Sequence, residues 1–340
     1  MAGGGGLFGA IGVVSETAYG SYLTPTRTIE IRSAKLQERV HIVQGTGLAD
    51  GRTVDLGSRR NNVWTDGGGD IETEFLTTEM ALLLANALGS NATLVALTGT
   101  TSAVTAYSAT FNYGVPDNQN YFSLQALVPD TSGTLHAESY QGCKITKSEW
   151  TIERTGLLMC TYTVDAQQWN GTAGAFTPVE STSDAVFQAV AMTFEVGTYG
   201  SEAAVDGVRK CTFSIERELD VERIYLGSVN KDEPITKGMT KLKCTMDVDL
   251  LSTNKAALWD IYNTQAATSI IATLTGPQIG TSGNDNKVVF ALTNAYVDQN
   301  GTPELDGPDV VKASLSFTGL IDAANNTPFS VTLTTPDSTY

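Results

Sequence analysis

The feature that most constrains this sequence is an internal repeat of long period. The segment TFSIERELDVERIY (residues 212–225) matches TIEIRSAKLQERVH (residues 28–41). Four further pairs of segments follow in the same order in both halves of the chain. They align residues 19–21 with 199–201, 71–84 with 246–259, 92–99 with 269–276, and 157–164 with 310–317. The sequence therefore predicts two tandem copies of one module, rather than a short-period solenoid.

Length and composition agree with two packed modules. A chain of 340 residues suggests about two domains, and a hydrophobic content of 41% is enough to form cores. We divide the chain into a flexible N-terminal arm, a first module, a linker and a second module. Their predicted bounds are 1–13, 14–168, 169–186 and 187–340.

Each module begins with strand-like runs in which apolar and polar residues alternate, the pattern of a sheet with one covered face. In residues 71–75, Ile71 and Phe75 point one way, and Glu72 and Glu74 point the other. The second copy repeats the pattern with Asp247 and Asp249 facing outward, between Met246, Val248 and Leu250. These carboxylates are either ordinary solvated positions or part of a functional acidic face.

A short helix follows these strands in each copy. EMALLLANAL is rich in helix-forming residues, with Thr77 or Thr78 as the predicted N-cap and Gly89 as the left-handed C-terminal residue. In the second copy, Ser252 or Thr253 is the predicted cap before NKAALWDIYN. The predicted fold class is mainly β (α+β): two β-sandwich or barrel modules, each with one short flanking helix.

Motifs for catalysis, metal binding or cofactor binding are not found in the sequence. His41 and His136 lie outside any metal-binding spacing, and His41 aligns with Tyr225, which indicates an aromatic strand position. The four cysteines form no CxxC pair and are predicted to be buried free thiols. We therefore predict no catalytic residue, no metal and no cofactor.

The net charge of −16, from 37 acidic and 21 basic residues, argues against a protein that grips a nucleic-acid backbone. The apolar runs are also too short to predict a membrane span.

Three long segments resemble the major tail tube proteins of long-tailed bacteriophages. They are ETAYGSYLTPTRTIEIRS (residues 16–33), GCKITKSEWTIERTGLLMCTYTVDAQ (residues 142–167) and SIERELDVERIYLGSVNKDEPITKG (residues 214–238). The resemblance implies β-modules that join across subunits into rings, which stack into a tube around the tape-measure protein. Tubes of this family commonly have six modules around the ring. Three double-module chains would then form a homotrimeric ring with pseudo-sixfold symmetry, and a homohexamer is the alternative.

The resemblance also implies the site and the partners. The lumen-facing acidic residues would include Glu72, Glu74, Glu149, Glu153, Asp247 and Asp249, which would repel the passing double-stranded DNA. Two long loops, residues 45–69 and 227–238, would stack the rings. The residues expected to do so are Arg52, Arg59, Arg60, Trp64, Lys231 and Glu233. Partners would be the tape-measure, tail terminator and distal tail proteins, in a virion tail assembled in the host cytoplasm, with no membrane.

Three other functions stay open from the sequence. The first is a head-to-tail joining or tail decoration protein built on the same module. The second is a glycan-binding adhesin, which would need Trp64, Trp150, Trp169 and Trp259 exposed together, although Trp150 and Trp259 occupy predicted core positions. The third is an enzyme, for which the motif search gives little support.

Overall fold

The computed structural model describes residues 9–47, 51–97, 105–113, 120–179, 184–259, 261, 265–300, 311–322 and 327–340. Most of these residues lie in antiparallel strands, so the predicted mainly β class is confirmed. The described part of the chain has one α-helix, α1 (Ala81–Leu88). It also has 3-10 turns at Gly57–Arg59 and Ala189–Ala191, and a π-helical turn at Lys255–Trp259.

In the described residues, ten strands lie in the first half of the chain and ten in the second. The first ten are β1 (Ala10–Ser15), β2 (Arg27–Ile29), β3 (Ser33–Gln44), β4 (Arg60–Glu74), β5 (Val95–Ala96), β6 (Tyr107–Asn112), β7 (Phe122–Pro129), β8 (Leu135–Glu153), β9 (Met159–Ala166) and β10 (Gln168–Trp169). The others are β11 (Met192–Thr198), β12 (Ser201–Ala204), β13 (Val208–Glu216), β14 (Leu219–Asp220), β15 (Ile235–Thr236), β16 (Lys241–Asp249), β17 (Thr268–Gln278), β18 (Asp285–Asn300), β19 (Lys312–Gly319) and β20 (Phe329–Thr335).

The two halves contain hydrogen-bonded ladders with the same strand order. The first ladder runs β2-β1-β7-β8-β9-β4-β3. The second runs β12-β11-β17-β18-β19-β16-β13. The helix α1 follows β4, and the π-helical turn follows β16. Every strand of the first ladder thus has a counterpart at the same place in the second.

Two breaks in strand register recur at matching places in the ladders. The ladders β7–β8 and β8–β9 are irregular at Phe122/Leu124 and at Ile145/Lys147. Their counterparts β17–β18 and β18–β19 are irregular at Thr268/Ile270 and at Val297/Gln299. A β-bulge adds one residue to one strand and increases the local twist, so the two ladders bend at equivalent positions.

Some of the sequence alignments follow these ladders. Ile71 lies opposite Tyr162, and Met246 lies opposite Leu315, so the matches of 71–84 with 246–259 and of 157–164 with 310–317 agree with each other. The match of 92–99 with 269–276 is wrong, because Val95–Ala96 forms the short strand β5, whereas 269–276 lies in β17, the counterpart of β7.

The match of 28–41 with 212–225 is out of register with the ladders. Ala34 lies opposite Ile71, whereas Cys211 lies opposite Met246, so the ladders equate Ala34 with Cys211. The alignment of Thr28 with Thr212 instead set β2 against β13, and β3 against the segment that follows β13.

The two halves share one hydrophobic core and are joined by strand pairing. Strand β13 pairs with β8, and β20 pairs with β6. The rings of Trp150, Phe213, Phe290 and Phe329 pack between the halves, with centroids 5.3–6.1 Å apart. Trp150 is 1% exposed, as its predicted core position requires. The side chain of Trp259 is outside the described residues.

The helix α1 is buried rather than flanking. All eight of its residues are buried, and it packs against β6, β8 and β20. Gly89 adopts the predicted left-handed conformation at its C-terminus, with φ of 65°. The predicted N-cap is wrong, because Met80 precedes the helix without a side-chain cap. The Thr77 and Thr78 hydroxyls instead contact Ala185 and Asp184 of the connecting segment.

Three segments predicted as irregular are partly ordered into the fold. Residues 10–13 of the predicted arm belong to β1, where Ile11 and Val13 are buried; residues 1–8 are outside the described residues. In the predicted linker, Trp169 lies in β10 and Phe176 is buried. Residues 60–69 of the first predicted loop belong to β4, which shortens that loop to 45–59.

Candidate functional site

A continuous sheet runs through both halves of the chain and has one polar face. Its strands are ordered β3-β4-β9-β8-β13-β16-β19-β18 and are all antiparallel. Side chains on these strands alternate between the hydrophobic core and the opposite side. We refer to the opposite side, from Glu72 on β4 to Lys312 on β19, as the polar face.

Cross-strand register places the predicted acidic residues on this face. Residues directly opposite each other share a face of a sheet. One row runs from Glu72 through Thr161, Glu149 and Ser214 to Lys243.

A second row runs from Glu153 through Lys210 to Asp247. Glu74 lies two residues from Glu72, and Asp249 two from Asp247. All six residues predicted to line a lumen therefore lie on one surface.

The polar face is not uniformly acidic, because lysine and arginine residues lie among the carboxylates. Lys210 Nζ lies 2.7 Å from Glu153 Oε1, and Arg209 Nε lies 2.6 Å from Asp249 Oδ1. Other ion pairs among the described residues are Lys147 with Glu149 at 3.7 Å, Arg32 with Glu74 at 4.0 Å, and Lys241 with Glu216 at 3.4 Å and with Glu218 at 3.0 Å. The negative charge expected from the sequence is thus partly neutralised within the face.

Hydroxyl side chains fill most of the other positions. On four neighbouring strands, Thr151 lies opposite Thr212, which lies opposite Thr245, which lies opposite Ser316. The Thr151 and Thr212 hydroxyls are 2.9 Å apart. Along this row the side chains are small polar groups.

At one end of the polar face, Lys231 from the second half of the chain enters a pair of aspartates from the first. Its Nζ lies 2.9 Å from Asp66 Oδ2 and 2.9 Å from both Asp165 carboxylate oxygens. The guanidinium of Arg39 bridges the same two carboxylates at 2.9 and 3.0 Å. We call Arg39, Asp66, Asp165 and Lys231 the ionic cluster.

Burial sets the electrostatics of the ionic cluster. Lys231 is 1% exposed, and its two aspartates are also buried. Burial raises the pKa of Asp165, and the charges of Lys231 and Arg39 offset this only in part. Burial acts in the same direction on Asp66, but Lys231, His41 and Arg39 outweigh it and hold the pKa of Asp66 below its usual value.

The sequence did not identify this cluster. Its members come from β3, β4, β9 and a loop more than sixty residues further along the chain. The one local signal is DGGGD (residues 66–70), where glycines between two aspartates reflect tight strand packing.

The six residues predicted to stack rings separate into two groups. Lys231 is enclosed within the chain, and Glu233 Oε1 lies 2.6 Å from the buried Lys144 Nζ. These two residues therefore attach their loop to the first half of the chain.

Arg52, Arg59 and Arg60 are exposed at the other loop. Trp64 lies on β4, where its ring stacks on His41 at a centroid distance of 3.5 Å. His41 therefore occupies the predicted aromatic strand position, although Tyr225, the residue that the sequence alignment matched to it, lies outside the strands.

The far end of the β3–β4 hairpin exposes apolar side chains. Val40, Ile42, Val43 and Val63 are 44–59% exposed. The loop beyond them includes Val54, which is 80% exposed. Apolar groups on a projecting hairpin are typical of a surface that is covered by another molecule.

No group of metal-ligating side chains occurs in the described ranges, and no helix in them is long and apolar enough to cross a membrane. All four cysteines are buried free thiols, as predicted. Burial raises the pKa of Cys143, Cys160 and Cys211, which makes these thiols poor nucleophiles.

Comparison with known proteins adds a family assignment. No curated protein matches the chain. The family model described as phage tail tube protein matches residues 9–319, which covers both ladders. The family is structural, and membership places the protein in the tail of a phage virion. The chain therefore belongs to the phage tail tube protein family, whose members assemble with other tail proteins into a tube.

Proposed function

We propose that three copies of this chain form a ring in which the polar face lines the channel of the phage tail tube. The observation that carries the proposal is the continuous sheet β3-β4-β9-β8-β13-β16-β19-β18, with one face in the core and the other polar. Closing such a sheet on itself removes its open edges and produces a barrel with a polar interior.

The number of chains follows from the two ladders. We infer that they are two copies of one ancestral module, since their strand order coincides and two of their register breaks recur at matching places. If the ring has six modules, three chains complete it with threefold symmetry and pseudo-sixfold contacts. The alternative homohexamer would place twice as many modules around the ring.

The polar face suits a wall past which DNA must move without binding. Negative charge repels phosphates over a Debye length of ~8 to 10 Å. Ion pairs with carboxylates engage several cations of the face, including Lys147, Lys210 and Lys241, which could otherwise hold the DNA backbone. Glu72 and Asp247 have no ion-pair partner within 4.0 Å in the described part of the chain and supply the unneutralised charge. The same channel would hold the tape-measure protein before ejection of the genome.

The β3–β4 hairpin is the proposed contact between stacked rings. Its exposed apolar side chains, including Ile42 and Val43, would be covered by the next ring. Arg52, Arg59 and Arg60 would then meet acidic groups of that ring. The ends of the tube would contact the tail terminator and distal tail proteins, after assembly in the host cytoplasm.

Electron microscopy of the purified, concentrated protein tests this proposal. Hollow tubes whose end-on views have threefold symmetry and six lobes are the expected result. Tubes with sixfold symmetry and twelve lobes would show that the ring is a hexamer rather than a trimer. Discrete rings or monomers that never elongate would contradict the tube function and favour a head-to-tail joining or decoration protein.

A further inference from the structure

We propose that the open edge of β18 pairs with β3 of a second copy of this chain, in the register that β8 gives to β13 within one chain. This inference rests on the proposed ring and goes beyond it, because it specifies which strand edges meet and which residues lie opposite each other.

The pairing inside the chain supplies the template. Tyr140 of β8 pairs with Leu124 of β7 on one side and with Trp169 of β10 on the other. Strands β9 and β10 are consecutive and lie on the same side of β8. Strand β13 pairs with residues of β8 that also pair with β9, so β13 lies on the β7 side. Along this edge, β8 therefore pairs first with β7 and then with β13.

Strand β18 pairs with β17, the counterpart of β7, but has no neighbour equivalent to β13 in the described part of the chain. Ala295 pairs with Thr268 of β17 and with Gly319 of β19, so these strands flank β18 on opposite sides. From Ala295 to Asn300, β19 continues along one side, while β17 ends at Thr268. In the described part of the chain, the β17 side of β18 is therefore open over these residues.

Strand β3 has the complementary open edge. In the described ranges it pairs with β4 alone, whereas its counterpart β13 pairs with β16 on one side and β8 on the other. The counterpart of β8 is β18, and within one chain β3 and β18 lie at opposite ends of the eight-strand order. The strand missing beside β18 is therefore β3 of another copy, a head-to-tail contact of the kind that closes into a ring.

The bulges fix the register. The register break in β8 lies between Ile145 and Lys147, and the equivalent break in β18 lies between Val297 and Gln299. Lys147 therefore corresponds to Gln299, and Ser148 to Asn300. Ala34 corresponds to Cys211, and four residues further Glu38 corresponds to Ile215.

Ser148 lies opposite Ile215 within the chain. Asn300 of one copy should therefore lie opposite Glu38 of the next.

Disulfide trapping tests the register. The double variant Glu38→Cys with Asn300→Cys should form disulfide-linked dimers and larger oligomers in assembled tubes treated with a mild oxidant. Neither single variant should form such a series. The matched control is Glu149→Cys with Ser214→Cys, two positions that lie opposite each other within one chain. This variant should form an intramolecular disulfide and no linked dimers.

Hydrogen exchange on the unmodified protein provides a second measurement that cysteine substitutions cannot disturb. Amides of β3 should exchange more slowly in tubes than in the unassembled chain, whereas β13 amides should be protected in both. Tubes that give neither the 38–300 cross-link nor protection of β3 would overturn this pairing and leave the tube function intact. A protein that stays monomeric at every concentration would overturn both.

Discussion

Lys231, from the second half of the chain, places its Nζ 2.9 Å from the Oδ2 of Asp66 in the first half. The contact is buried. Asp165 also pairs with Lys231, and Arg39 pairs with Asp66. A buried ion pair costs desolvation energy and adds little net stability, but it fixes which groups must meet. Here it fixes the loop after β14 against the end of the polar face.

Replacing Lys231 by methionine should destabilise the chain by about 3–5 kcal/mol, because two buried carboxylates would lose their buried cation and keep only the partly exposed Arg39. Chemical denaturation at pH 7.5 measures the free energy of unfolding. Lys237→Met removes an exposed lysine just after β15 and should change the free energy of unfolding by less than about 0.5 kcal/mol. Equal effects of the two substitutions would show that the ionic cluster is not what holds the loop.

The pH dependence of the same variant follows from the carboxyl groups. Without Lys231, burial should raise the pKa of both Asp66 and Asp165 above the unfolded value of about 3.9. A folded state that binds protons more tightly gains stability as the pH falls through the raised pKa. The loss of unfolding free energy caused by Lys231→Met should therefore be smaller at pH 5 than at pH 7.5. An equal loss at the two pH values would contradict this account.

Alternating residues such as Glu72 and Glu74 made the strands and their polar face predictable from sequence. This pattern depends on the two-residue period of a strand, which the chain records locally. The ionic cluster was not predictable, because nothing near Lys231 in the sequence indicates that it meets Asp66. The alignment of residues 28–41 failed for a related reason: strand register is set by backbone pairing between distant segments.

The glycines at 67–69 are a second case in which the local sequence misleads. Their composition predicts a loop, yet Gly67–Gly69 lie within β4, between β3 and β9. Gly69 has φ of 149°, and a Cβ there would lie 1.9 Å from the Lys35 carbonyl oxygen. Glycine is required here by the close approach of two backbones.

Gly69→Ala should therefore destabilise the fold by about 3 kcal/mol or more, from backbone strain and the clash with β3. Gly57→Ala is the control, since a Cβ at that position meets nothing within 4 Å. Thermal unfolding of both variants measures the difference. An alanine at position 69 that leaves the melting temperature unchanged would show that β4 does not have the described packing.

If the β3–β4 hairpin stacks the rings, substitutions there should block tube elongation without affecting folding. Ile42→Asp with Val43→Asp places two charges on the exposed hairpin, where they should change monomer stability by less than about 1 kcal/mol. Burying those charges between rings would be costly, so rings should accumulate in place of tubes. Val128→Asp alters a comparably exposed residue at the end of β7 and should elongate normally. Normal tubes from the hairpin variant would assign stacking to another surface.

The charge of the polar face predicts how DNA leaves the tube. Glu72→Gln with Glu149→Gln removes two carboxylates from one row of the face, whereas Glu195→Gln with Asp206→Asn removes two exposed carboxylates elsewhere. Both proteins should fold and form tubes, because none of the four residues is buried in the core and surface substitutions change stability by about 0.5 kcal/mol or less. Their net charges are equal, so any difference between them reflects position.

Phages assembled with the Glu72 and Glu149 variant should release their genomes more slowly than phages with the control, because phosphates would be repelled less by the wall. The difference should shrink as the salt concentration is raised, since the Debye length falls from ~10 Å at 0.1 M to ~3 Å at 1 M. Genome release in bulk, followed by a DNA-binding dye, measures both effects. Equal release by the two variants at low salt would mean that the polar face does not line the DNA path.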